Sequence, residues 1–163
     1  MILPAQHIMT EGIIHPFHRR SRAFGLSYGL SAAGYDIRSA TAQIVAEDRL
    51  ALISSIECFD MPDDVMGFVA DKSTHARCGL FVQNTIIEPG WRGYLTLELT
   101  YQGPEKYFNI PVGLPIAQVV FARLEAPTEQ PYQGKYQDQK SEPVKAILTN
   151  YERDDEVDLY HGK

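Results

Sequence analysis

Mainly β structure, closed into a sandwich or barrel, is what the sequence predicts, and three observations carry that expectation. From Gly34 onward the apolar residues fall into short runs or alternate with polar ones, in "GYDIRSA", "QIVAEDRLALISSIECFDM", "VMGFVAD", "GLFVQNTII", "GYLTLELTY", "YFNIPVG" and "PIAQVVFARLEA". Turn-forming residues interrupt these runs at short intervals: Pro62-Asp63-Asp64, Pro89-Gly90, Gly103-Pro104, Pro111, Gly113 and Pro115. The chain has 163 residues with 12 Gly and 10 Pro, enough to close one such core and short for two. Many short strands at this spacing are the pattern of an all-β sandwich or barrel.

In chain order, "ILPAQHIMTEGII" has helical spacing at Ile2, Ile8 and Met9 and is closed by Gly12, which predicts one short N-terminal helix. "HPFHRRSRAFGLSYGLS" reads as a polar, basic connection leading into the strands. In "GYLTLELTY" the two-residue period sends Tyr94, Thr96, Glu98 and Thr100 to one face and Leu95, Leu97, Leu99 and Tyr101 to the other. After Pro131 the alternation is lost and the chain ends in an acidic run, Asp154 to Asp158, which reads as a solvated tail. One domain is expected over 1–140, followed by a C-terminal tail, 141–163.

Composition excludes several classes of function. A net charge of −6 repels a nucleic-acid backbone and leaves room only for a local basic cleft that takes a small anion. No apolar run approaches the roughly 20 residues that span a bilayer, so no membrane role is expected. The start of the chain lacks the basic and apolar segments of a signal peptide. Two cysteines, Cys58 and Cys78, make no framework of bridges, which points to reduced thiols and a cytoplasmic location.

Zinc-dependent nucleobase deamination needs H-x-E followed by P-C-x-x-C. None of His7, His15, His18, His75 and His161 begins H-x-E, and the cysteines are far apart, so no zinc is expected. A phosphate loop and a serine nucleophile elbow are absent too. In "DKSTHARCGL" the cations Lys72 and Arg77 flank the hydroxyls Ser73 and Thr74, a mixture that binds a phosphate chain through charge-assisted bonds, although a solvated loop would look the same. Glu98 stands on the polar face of a strand, where glutamate is depleted. It is either a solvent-facing residue or a proton shuttle beside a substrate.

Taken together these segments resemble the family that unites dUTP diphosphatases with zinc-independent dCTP deaminases, including enzymes that do both steps. "AAGYDIRSA" looks like the first motif of that family, "DKSTHARCGL" the second with Lys72 in place of arginine, "IIEPGWRGYLTLEL" the third and "GLPIAQVVF" the fourth. The resemblance implies a dUTPase-like distorted jelly roll or β-barrel with a short N-terminal helix, assembled as a homotrimer with shared active sites. It implies Mg²⁺ bound with the triphosphate, held through water by Asp36. Lys72, Ser73, Thr74, Arg77, Gln118, Tyr132, Lys135 and Gln139 would meet the phosphates, Asn84, Thr85 and Ile87 the base, and Glu88 and Trp91 the sugar. Ser73, Arg77, Glu88 and Glu98 form the implied catalytic set.

Two reactions remain open at this point. "PYQGKYQDQ" and Glu98 are similar to the deaminase branch, in which Glu98 would activate the water that attacks C4 of cytosine. The first motif and the short segment from Gly79 to Glu88 are spaced as in many dUTPases, in which the carboxylate at Glu88 would position water on phosphorus. dCTP deamination, with or without continuation to dUMP and diphosphate, is the first expectation and dUTP hydrolysis the alternative. A nucleotide-sensing module without turnover is the third.

Overall fold

The computed structural model of the protein describes residues 1–83 and 85–148. Asn84, His161 and the acidic run Asp154 to Asp158 lie outside the described residues. The elements in chain order are α1 (Ala5–Thr10), β1 (Ile14–His15), β2 (Ser21–Ala23), β3 (Leu26–Leu30), β4 (Tyr35–Arg38), β5 (Gln43–Ala46) and β6 (Ala51–Asp60). They continue with β7 (Val65–Asp71), α2 (Ser73–Ala76), β8 (Leu80–Val82), β9 (Ile86–Ile87), β10 (Arg92–Tyr101), β11 (Tyr107–Ile110) and β12 (Pro115–Arg123). The expected mainly β architecture with a short N-terminal helix is what forms.

Two sheets enclose the core. One has the order β1-β6-β10-β8 and the other β2-β3-β4-β12-β7-β9, while β11 and β5 make a separate pair. Each sheet turns a row of apolar side chains inward because side chains alternate along a strand. Phe59 of β6 and Phe121 of β12, both fully buried, meet with ring centroids 6.4 Å apart, so the centre of the core lies between these sheets. On β10, Leu95, Leu97, Leu99 and Tyr101 are buried as the two-residue period requires. Thr96, on the opposite face, is also buried, because residues that follow β12 lie across it.

Two sequence expectations are corrected. Helix α1 begins after Pro4, so Ile2 is outside it and pairs instead with Ala122 at the end of β12; of the apolar residues expected on the helix, only Ile8 is buried. The stretch expected to be a connection contains the β2–β3 hairpin, with Ser21 opposite Tyr28 and Ala23 opposite Leu26. Its turn residues Phe24 and Gly25 have φ of 52° and 75°, the backbone twist that matches a tight hairpin. A phenylalanine in that conformation is uncommon, and this hid the hairpin from a reading based on turn residues.

Candidate active site

The third-motif segment builds the first cleft. The amide of Trp91 donates to the Glu88 carbonyl at 3.1 Å, closing a turn with Pro89 and Gly90 at its corner. That turn brings Glu88 and Trp91 to the same rim. Beyond it, Thr96 and Glu98 project from β10 into a cavity of about 500 Å³, lined mainly by Leu50, Leu52, Ile86, Ile87, Trp91 and Leu95 with Thr85 and Glu88 at its edge. Glu98 is partly buried, and the Thr85 hydroxyl donates to its Oε2 at 3.3 Å. A carboxylate with one side-chain donor in such apolar surroundings is positioned rather than freely solvated.

The chain after Pro131 closes the other side of this cleft. The Tyr132 amide donates to the Pro89 carbonyl at 2.8 Å, and the Trp91 indole N–H donates to the Tyr136 carbonyl at 2.8 Å. Gln139 bridges to Gly93, and its side-chain oxygen accepts from the Thr96 hydroxyl at 3.2 Å. That hydroxyl also accepts the Val144 amide at 3.0 Å, which sets Val144 and Ala146 on the cavity wall. Trp91 is therefore both a core residue, 6% exposed, and a wall of the cleft.

The second cleft, about 290 Å³, is polar and shares no lining residue with the first. Strand β4 supplies Asp36, β12 supplies Gln118, and the end of β7 with the start of α2 supplies Asp71, Lys72 and Ser73. Lys72 Nζ donates to Asp36 Oδ2 at 2.8 Å, the Ser27 hydroxyl donates to the same oxygen at 3.3 Å, and Gln118 reaches Asp36 Oδ1 at 3.4 Å. His75 anchors this corner from beneath: its Nε2–H donates to the Pro115 carbonyl at 2.7 Å and its ring stands edge-on to Phe108. Burial pushes the His75 pKa down; the Pro115 bond opposes the shift and the nearby Lys72 charge adds to it.

The sequence-predicted residues thus divide. Lys72, Ser73, Gln118 and Asp36 come together in the polar cleft, while Thr85, Ile87, Glu88, Trp91, Glu98, Tyr132 and Gln139 come together in the apolar one. Thr74 and Arg77 are exposed on and after α2 and line neither cleft. Lys135 is exposed, donates to the Ile147 carbonyl and lies over the Tyr136 ring, 5.3 Å from its centroid.

Sequence reasoning missed the fully buried Glu57, whose two carboxylate oxygens accept from the backbone amide and Nε of Arg38, each at 2.8 Å. This pair fixes β4, which carries Asp36, against β6. The signal available was a glutamate inside the apolar strand "SSIECFD". It also missed Thr96 and Tyr136, which only the fold of the later segment brings to the site.

Comparison with known proteins supplies the relationship. A family model described as dCTP deaminase-like matches residues 30–124. The dCTP deaminase of Acidobacterium capsulatum is 35% identical over 166 residues, covering 80% of this chain and 88% of that one. The dCTP deaminase of Pyrococcus abyssi is 36% identical over 152 residues, covering 84% and 93%. Among solved structures, the native EIAV dUTPase superposes with a TM-score of 0.55 at 19% identity, over 76% of this chain and 97% of that one. A dUTPase from phage phi11 of S. aureus gives 0.53 at 16% identity, over 74% and 92%. The fold is thus dUTPase-like.

Proposed function

The chain belongs to the dCTP deaminase-like family, and from that premise we propose that it deaminates dCTP to dUTP with Glu98 as the proton carrier. The observation that carries the assignment is the Glu98 carboxylate, hydrogen-bonded to Thr85 inside a mainly apolar cleft. Glu98 takes a proton from a water as its oxygen attacks C4 of the cytosine ring. It delivers that proton to ring N3, then carries the proton of the new C4 hydroxyl to the amino group, so that the C4–N bond breaks, ammonia leaves and the C4 carbonyl forms. The sum is dCTP plus water giving dUTP plus ammonia. A general acid–base group in this position contributes typically about 10²–10⁴-fold. Thr85 and Ile87 border the base, while Glu88 and Trp91 at the turn meet the deoxyribose.

Lys72, Ser73 and Gln118 take the phosphates, yet they face a different cleft from Glu98; Arg77, which lines neither cleft, would join them from the exposed end of α2. This division supports a homotrimer in which the polar cleft of one subunit is completed by the apolar cleft of a neighbour, and it gives Tyr132, Lys135 and Gln139 a route to the same triphosphate. Among the described residues no cluster of three or more His, Cys, Asp or Glu could hold a metal. Mg²⁺ would be carried mainly by phosphate oxygens, and Asp36 is the cleft carboxylate that would help hold it through water. Such an ion would offset phosphate charge.

No helix among the described residues is long and apolar enough to cross a membrane. Cys58 and Cys78 are free thiols, in keeping with a reducing cytoplasm.

The test is to incubate the protein with Mg²⁺ and dCTP, and separately with dUTP, and to resolve the products by ion-exchange chromatography. Formation of dUTP or dUMP with ammonia from dCTP is expected. If only dUTP is consumed, Glu88 rather than Glu98 is the reacting carboxylate and the enzyme is a diphosphatase. Conversion of both substrates would make the enzyme bifunctional.

A further inference from the structure

We propose that Arg20 is a phosphate-binding residue that makes the polar cleft selective for a triphosphate over shorter phosphate chains. This rests on the nucleotide reading above. The charges in the cleft point to it. Its lining contains two cations, Arg20 and Lys72, and two carboxylates, Asp36 and Asp71. Lys72 is already committed to Asp36 at 2.8 Å, and Asp71 Oδ1 accepts the Val82 amide at 2.7 Å. Arg20 is exposed and has no ion-pair partner among the described residues. Arg20 is thus the cation of the cleft lining left without a counter-charge among the described residues; such a guanidinium attracts the end of a polyanion, and its planar fork suits bidentate phosphate contact.

The fold holds that guanidinium where it is needed. Arg20 lies just before β2, and the Leu30 amide donates to the His18 carbonyl at 3.1 Å, tying the approach segment to β3. Gly29 of β3 has a φ of +86°, and a Cβ there would stand 2.6 Å from the Arg19 carbonyl oxygen. Only glycine allows this close approach, so the segment carrying Arg20 is pressed onto the cleft wall. The segment that carries Arg20 is itself basic or neutral, because no Asp or Glu occurs between Gly12 and Tyr35. Arg22 is equally exposed but does not line the cleft, which makes it the natural control.

The experiment is calorimetric binding of dCTP, dCDP, dCMP and inorganic tripolyphosphate to the full chain with Mg²⁺, comparing the wild type with Arg20→Gln, Arg20→Lys and Arg22→Gln. Arg20→Gln should weaken dCTP and tripolyphosphate on the order of tenfold while leaving dCMP unchanged. Arg20→Lys should fall between, and Arg22→Gln should change affinity less than about twofold, as a screened charge off the site does. Thermal melting checks that the variants fold, as expected for an exposed side chain. Retention by Arg20→Gln of wild-type triphosphate preference, an equal loss in Arg22→Gln, or failure of the wild type to bind tripolyphosphate would overturn the proposal. Ammonia release from dCTP is followed separately. Arg20-dependent binding without ammonia release sinks the deaminase reading alone, whereas deamination with triphosphate preference intact in Arg20→Gln sinks the role of Arg20 alone.

Discussion

Lys72 Nζ lies 2.8 Å from Asp36 Oδ2, with both side chains 10% exposed, so the cation of the second motif and the carboxylate of the first are joined before any nucleotide binds. Removing one member leaves the other buried without its counter-charge, which costs about 3–5 kcal/mol in comparable pairs. Lys72→Met is expected to be destabilised by about 3 kcal/mol. The double variant Lys72→Met with Asp36→Asn should recover much of that loss, since Ser27 and Gln118 still satisfy the amide. Urea unfolding of the three proteins measures this. Equal stability of the single and double variants would mean that Asp36 is not left as an uncompensated buried charge when Lys72 is removed.

Glu98→Gln keeps the shape and the Thr85 contact but cannot take a proton. Ammonia release from dCTP should fall by about 10²-fold or more, with dCTP affinity changed little. Thr85→Val removes the donor 3.3 Å from the carboxylate, and should lower kcat on the order of tenfold without a matching rise in KM. Stopped assays of ammonia at saturating dCTP read both. Full turnover by Glu98→Gln would remove Glu98 from the chemistry.

Trp91 is the single tryptophan of the chain and forms a wall of the apolar cleft while its indole N–H donates to the Tyr136 carbonyl. Ligand entering that cleft must change its surroundings, so dCTP should shift the intrinsic emission with a saturable titration. Trp91→Phe should lose the signal and also weaken binding, because the segment at Tyr136 loses a buried bond worth about 1 kcal/mol. An emission spectrum unmoved by saturating dCTP would place the deoxyribose elsewhere.

The sheet strands were legible because a two-residue period with one buried face leaves an unmistakable trace, as "GYLTLELTY" shows. Glu98 could be singled out for the same reason: it breaks the residue preferences of its own strand. The β2–β3 hairpin was not legible, since its turn uses Phe24 at positive φ and its first strand is only Ser21–Ala23, with Arg22 at its centre where an apolar residue would announce a strand. The partition of the motif residues between two clefts was not legible either. A motif records which residues act together on a ligand, whereas the clefts of one chain follow from strand order, which brings Asp36, Lys72 and Gln118 together across β4, β12 and β7. The buried Arg38–Glu57 pair connects residues distant in sequence, and neither partner alone signals the other.

His75 gives the fold a pH dependence whose sign follows from its burial. Its folded pKa is lowered from the ordinary value of 6.5, first by desolvation and then by the Lys72 charge, against the opposing bond to Pro115. In the window between the lowered folded value and 6.5, the unfolded chain binds more protons than the folded one. Stability therefore increases with pH across that window and is lost as pH falls below about 6.5, with a slope of at most about 1.4 kcal/mol per pH unit for one proton. Urea midpoints measured between pH ~5.5 and ~7.5 should show this slope in the wild type and a flatter line in His75→Gln, which retains a donor for the Pro115 carbonyl but does not titrate. Because α2 carries Ser73 into the polar cleft and His75 pins α2, affinity for tripolyphosphate should weaken over the same pH range in the wild type more than in the variant. Parallel stability lines in the two proteins would mean that His75 keeps one protonation state on folding, and any pH dependence would then have to lie in another group.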